Sequence, residues 1–214
     1  MTYSLSPTDR DVLIVIDIQN DFCPGGSLAV GTGDEIVPLV NRLEQRFANI
    51  VLTQDWHPAG HRSFASTHGR KPFETIDLPY GKQILWPDHC VQGTRGAEFH
   101  PGLALTRAAL VIRKGFRPEI DSYSAFSEND RTTPTGLAGY LKERRIEKAF
   151  FVGLATDVCV RYSALDARRL GLEAVVLLDA CRAIDRDGSF AAAVAEMGAA
   201  DVGLEMTAAG LAAG

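Results

Sequence analysis

The sequence predicts a three-layer α/β/α fold around a central, mostly parallel six-stranded sheet, and three observations carry that expectation. Short apolar runs recur at 12–16, 50–53, 110–113, 149–152, 174–178 and 202–204. Helical stripes lie between several of them. The runs are continuous rather than alternating, which is the pattern of strands covered on both faces.

The elements follow in order. After the first run, Ile36, Val40, Leu43 and Phe47 make one helical stripe, with Pro38 tolerable in its opening turn. Thr133-Pro134 is expected to open a helix that continues to about Arg145. Val160, Ala164, Ala167 and Leu170 fall on one face of the next helix, which Gly171 closes. A last helix is expected over 189–197. Residues 54–100 and 115–133 lack periodicity and are rich in Pro, Gly, His and aromatics. Irregular stretches this long are functional or disordered, and the aromatic content argues against disorder. A length of 214 residues suits one domain over 1–214, with an Ala/Gly-rich flexible tail over 207–214.

Composition narrows the function. Lys+Arg 22 against Asp+Glu 27 gives a net charge of −5, which argues against nucleic acid or an anionic membrane as partner. The 4 cysteines are scattered without a C-x-x-C pair, too few for a disulfide framework at this length, so reduced thiols and a cytoplasmic setting are expected. Asp9, Arg10 and Asp11 precede the first apolar run and Asp17 ends it, so no signal peptide is read there. No stretch reaches the ~18 apolar residues of a membrane span. A homo-oligomer is compatible with all of this.

Cys159 lies between an apolar run and a helix, with Thr156 or Asp157 as the expected N-cap. A thiol in the first turn of a helix meets free N–H groups and the positive end of the dipole, which favour thiolate. It is a candidate nucleophile, the alternative being a small residue packing helix on strand. Asp17 follows the first apolar run and Lys114 the third, so both would converge with Cys159 over the carboxyl ends of parallel strands. A carboxylate and a lysine beside a thiol could move a proton between sulfur and a leaving group. Singly, Asp17 could cap a turn and Lys114 could be a solvated charge.

Asp55-Trp56-His57-Pro58-Ala59-Gly60-His61 sets a carboxylate and two imidazoles at D-x-H-x3-H spacing at the end of the second run, and His89 follows in a later loop. Such a set suits one divalent transition metal ion, Zn2+, Fe2+ or Mn2+. The alternative is loop histidines bonded to backbone. His68 and His100 lack such company. Cys90 could be a ligand or a buried thiol.

These segments together resemble the cysteine-hydrolase superfamily of isochorismatase-like fold, and within it the nicotinamidases (pyrazinamidases). The matching text is Asp17-Ile18-Gln19-Asn20-Asp21-Phe22-Cys23, Gly25-Gly26-Ser27-Leu28-Ala29-Val30, Asp55-Trp56-His57, His61, Trp86-Pro87-Asp88-His89-Cys90-Val91, Lys114-Gly115, Asp121-Ser122-Tyr123-Ser124-Ala125-Phe126 and residues 153–160. The resemblance implies a catalytic triad of Asp17, Lys114 and Cys159, and metal ligands Asp55, His57, His61 and His89. It implies a cis peptide at Leu154–Ala155, with the N–H groups of Ala155 and Cys159 as the oxyanion hole. Phe22, Leu28, Trp86, Tyr123 and Ala155 would bind the substrate. The implied reaction is hydrolysis of nicotinamide, and of pyrazinamide, through a cysteine thioester in NAD salvage. A sibling amidase acting on another small amide or ureido compound is the nearest alternative. A non-catalytic, metal-binding protein of flavodoxin-like shape is the alternative from another class. It is disfavoured because no G-x-G-x-x-G loop follows the first run.

Overall fold

The computed structural model describes residues 6–207. In chain order the elements are β1 (Asp11–Ile16), α1 (Val37–Glu44), β2 (Asn49–Asp55), β3 (Thr75–Leu78), β4 (Gly81–Ile84), β5 (Leu110–Lys114), α2 (Leu137–Glu143), β6 (Lys148–Leu154), α3 (Arg161–Arg169), β7 (Glu173–Arg182), α4 (Ser189–Ala199) and β8 (Gly203–Glu205). Six strands form one sheet in the order β5-β2-β1-β6-β7-β8, every neighbour pair parallel.

Alternate residues of each central strand supply the two halves of the core, because successive side chains leave a strand on opposite faces. Leu13, Val15, Leu52 and Val152 pack with Val40 and Leu43 of α1 on one face. Ile14, Ile16 and Phe151 pack with Leu141 of α2, Ala164 of α3 and Met197 of α4 on the other. Strand order sets the location of the crevice. The chain lays down β1, β2 and β5 in one direction, then returns to the other side of β1 with β6, β7 and β8. Such a reversal opens a crevice at the carboxyl ends of the strands where the order turns, here β1 and β6.

Several expectations change. Residues 133–136 are not helical: Thr135 donates from its N–H to the Phe126 carbonyl at 3.0 Å, and Pro134 bridges Ser127, so this stretch pairs as extended chain. Helix α2 begins only after Gly136. Leu170 lies past the end of α3 and is 54% exposed, outside the buried face that Val160, Ala164 and Ala167 share. The aperiodic 54–100 stretch contains the antiparallel hairpin β3–β4, turned at Pro79-Tyr80. Thr207 is buried, its N–H bonded to Asp179, so the expected tail cannot begin there; 208–214 lie outside the described residues. No helix among the described residues is long and apolar enough to cross a membrane.

Gly153 shows how tightly β6 is laid against β1. Its φ is +118°, and a Cβ there would stand 2.1 Å from the Ile16 carbonyl oxygen. Only glycine fits both the backbone angle and the approach. Gly153→Ala is expected to destabilise the fold by about 3 kcal/mol or more, as forced backbone strain does. Denaturant unfolding checks this.

Candidate active site

Four adjacent strands each deliver one side chain to the crevice. Lys114 ends β5, Asp55 ends β2, Asp17 directly follows β1, and Cys159 lies in the wide π-helical turn (Thr156–Val160) after β6. Asp17, Asp55, Lys114 and Cys159 are all buried. The Lys114 ammonium lies 2.8 Å from Asp17 Oδ2, 2.6 Å from Asp55 Oδ1 and 3.5 Å from Cys159 Sγ, and donates to the Ser122 carbonyl at 3.1 Å. Thr53 Oγ1 donates to Asp17 Oδ1 at 2.7 Å, which fixes the other carboxylate oxygen. The sequence thus brings the expected triad together, with Asp55 as a fourth member.

Burial acts against every charge in this group, and the neighbours decide the outcome. Burial pushes Asp17 up more strongly than Lys114 pulls it down, which makes a more basic carboxylate. Asp55 resists burial because Lys114 and His57 hold it well below the carboxylate range. Lys114 is likewise buried, yet the two carboxylates keep it charged. Burial drives the Cys159 thiol well above its ordinary value, only partly countered by Lys114. The helix-terminus expectation of a resting thiolate is therefore corrected: the thiol keeps its proton and needs a base beside it. Neither Thr156 nor Asp157 caps the turn by its side chain, and the residue before the turn is Ala155, with extended backbone. The Leu154–Ala155 peptide is cis.

Asp55 Oδ2 faces a second group, 3.4 Å from His57 Nε2 and 3.5 Å from His89 Nε2. His57 Nδ1 donates to the Gly115 carbonyl at 2.8 Å and His89 Nδ1 to the Pro87 carbonyl at 2.8 Å. A carbonyl only accepts, so each Nδ1 carries its proton and each ring, when neutral, offers its Nε2 lone pair, the tautomer that metal ligands need. Burial opposes a charge on His57, and Asp55 beside it pushes the ring toward the protonated form against that effect. His57 Nε2 is buried with no hydrogen-bond partner. Gly115 permits this approach, since a Cβ there would stand 2.3 Å from the His57 ring. Asp55, His57 and His89 form a set that fits a divalent metal.

His61, expected as a fourth ligand, falls outside that set. Its ring packs on His57 at 4.4 Å, but Nε2 donates to the Arg117 carbonyl at 2.9 Å and Nδ1 takes the Ser63 hydroxyl at 2.7 Å. Both nitrogens are committed, the backbone-bonded alternative of the sequence reading. With His57, His61 instead approaches Asp121. Cys90 is a buried thiol facing the Gly96 carbonyl. His68 bonds to the Arg62 carbonyl and His100 accepts the Gly102 N–H.

Above the triad lies a small, partly open cavity. Phe22, Leu28, Trp86, Tyr123 and Ala155 line it as expected, with Asp55, His89 and Cys159 also in its wall. Val30, Asp121, Val158 and Ile184 were not anticipated. Two buried glutamines also escaped the sequence reading. Gln19 grips the Asp55 main chain through its N–H and C=O, each at 2.8 Å. Gln83, on β4, donates to Asp121 at 2.8 Å and to the Tyr123 hydroxyl at 2.9 Å. The only signal for Gln19 was its place two residues after Asp17. Gln83 had none, because the hairpin itself was not read.

Comparison with known proteins gives a consistent picture. A family model for the isochorismatase domain matches residues 11–207. A nicotinamidase from Acinetobacter baylyi is 59% identical over 191 residues, covering 89% of each chain. The solved structure of an Acinetobacter baumanii nicotinamidase and pyrazinamidase superposes with a TM-score of 0.93 at 53% identity, covering 94% of this chain and 98% of that one. A Pyrococcus horikoshii pyrazinamidase solved in complex with zinc superposes at 0.77 with 36% identity, covering 92% and 99%.

The ligand geometry makes a sharp expectation. After loading with Zn2+, His57→Ala and His89→Ala should lose bound metal on gel filtration. His61→Ala removes a supporting neighbour and should weaken binding by no more than about ten-fold. Metal analysis of the three variants decides between three ligands and four.

Proposed function

The chain belongs to the isochorismatase family and hydrolyses nicotinamide to nicotinate and ammonia, and on that premise we propose the part each of its residues plays. Asp17, made more basic by burial, takes the Cys159 proton, and the thiolate attacks the carboxamide carbon. The N–H groups of Ala155 and Cys159 receive the oxyanion, in line with the resemblance and with the cis peptide beside them. Asp17 returns the proton to the departing ammonia, leaving a thioester on Cys159. A water molecule gives its proton to Asp17 and its oxygen to the acyl carbon. Nicotinate leaves, and the proton goes back to sulfur. Lys114 holds Asp17 and Cys159 together throughout and offsets the negative charge as it moves between them.

The observation that carries this reading is the single ammonium within 3.5 Å of carboxylate and thiol, beneath a small slot lined by aromatic side chains. Trp86, Phe22 and Tyr123 would hold the pyridine ring by face and edge. Asp55, His57 and His89 would hold one divalent ion, Zn2+, Fe2+ or Mn2+, supplying a Lewis-acid anchor for the ring nitrogen. That a Pyrococcus horikoshii pyrazinamidase was solved in complex with zinc supports a divalent metal in this family. Pyrazinamide, with a nitrogen at the same ring position, would be hydrolysed as well. We take residues 1–214 as one domain working in the cytoplasm, a setting that the unpaired cysteines favour.

Ammonia release from nicotinamide tests the reading directly. Cys159→Ala should lose at least about a thousand-fold in kcat, and Asp17→Asn nearly as much, with a double variant little worse than the worse single one because the two act as a unit. Near wild-type turnover by Cys159→Ala would end the thiol mechanism. Chelation should remove the preference for nicotinamide over benzamide, which lacks the ring nitrogen. Equal preference in holo and chelated protein would refute the anchoring role.

A further inference from the structure

The coil between β7 and α4, residues 183–188, is neither strand nor helix. It turns through left-handed backbone at Asp185, Asp187 and Gly188. Ile184 from this coil lines the ring cavity and packs with the core cluster that holds Phe22, Leu28 and Trp86. Ile184 also lines an adjoining outer cavity with Phe73, Trp86, Asp157, Val158 and Arg186. Two attachments hold the coil there. The Asp157 carboxylate, 3% exposed, holds the coil near its start and just past its finish, accepting the N–H groups of Ile184 at 3.0 Å and Asp185 at 2.9 Å, and the Ser189 hydroxyl. Between these points the Arg186 guanidinium lies 4.2 Å over the Phe73 ring, which meets Trp86 edge-on at 6.0 Å.

We infer that residues 183–188 are a strap that sets the size of the ring slot, and that Asp157 is the positioning residue that keeps the strap in register with the nucleophile. Asp157 occupies the same wide turn as Cys159, and its carboxylate caps nothing in that turn. No ion pair to Asp157 is formed among the described residues, so its hydrogen bonds are given to the strap. A carboxylate accepting several N–H and O–H groups holds them more tightly than a neutral acceptor would. The Ile184 wall of the slot and the turn that carries the thiol are therefore tied together. The Arg186 contact is more exposed, and it fastens the middle of the strap to the Phe73–Trp86 side of the slot. Ile184 supplies the bulk that limits substituents on the ring.

The inference rests on nicotinamide as substrate, and the experiment separates the two. Steady-state kinetics of Asp157→Ala, Asp157→Asn, Ile184→Ala and Arg186→Ala are compared on nicotinamide and on a nicotinamide carrying a ring methyl group. Asp157→Ala should raise KM about ten-fold or more, the effect of losing hydrogen bonds to a charged acceptor, and Asp157→Asn should recover part of it. Ile184→Ala and Arg186→Ala should raise KM for nicotinamide more than they change kcat, and should raise kcat/KM for the methylated ring relative to nicotinamide. Unchanged KM and unchanged selectivity in Ile184→Ala and Arg186→Ala would overturn the strap, as would a fall in kcat alone across the Asp157 variants. Should the Asp157 variants fail to fold, the Ile184 and Arg186 variants decide the question alone. A wild-type protein that releases no ammonia from nicotinamide would overturn both readings, whereas normal wild-type turnover with unaltered variants would remove the strap only.

Discussion

The site depends on one buried ammonium. Lys114 is 1% exposed, and removing such an ion from water costs several kcal/mol unless carboxylates compensate. Asp17 and Asp55 do so from two neighbouring strands, at 2.8 and 2.6 Å. Without the ammonium, two carboxylates would face each other in an apolar crevice, and one would have to take up a proton. The pairing of β5 on β2 and of β2 on β1 is what brings the three together, so strand register and site charge are a single constraint.

Asp55 connects the two halves of the chemistry. One oxygen faces Lys114 and the other faces two imidazoles whose remaining nitrogens donate to backbone carbonyls. Its main chain is clamped in turn by Gln19. A carboxylate shared in this way cannot shift toward the imidazoles without loosening its ion pair with the ammonium beside Cys159.

Much of this was legible in the residues because the chemistry stands at strand ends. Asp17, Asp55 and Lys114 each close or follow an apolar run, and Cys159 lies between such a run and a helix, so strand positions alone placed them at one edge. What the sequence hid was decided by tertiary contacts. Thr133-Pro134 carries a good helix-opening pattern, but Thr135 finds a backbone partner in Phe126 and stays extended. His61 has ligand spacing, yet Ser63 and Arg117 occupy its nitrogens. Asp157 has the composition of an N-cap and bonds instead to a segment far along the chain. In each case a polar group with a local option took a distant partner that spacing cannot reveal.

The reversal of strand order at β1 also bears on how the protein is made. Asp17, Asp55, His57, His89 and Lys114 all precede the end of β5, on one side of the central strand. Cys159 arrives only with β6, on the other side. The ribosome therefore adds the two carboxylates, the imidazoles and the lysine before it has begun the strand that delivers the sulfur. The sulfur is the last of these groups to join the crevice, and it meets an ammonium and two carboxylates that come from strands made before its own.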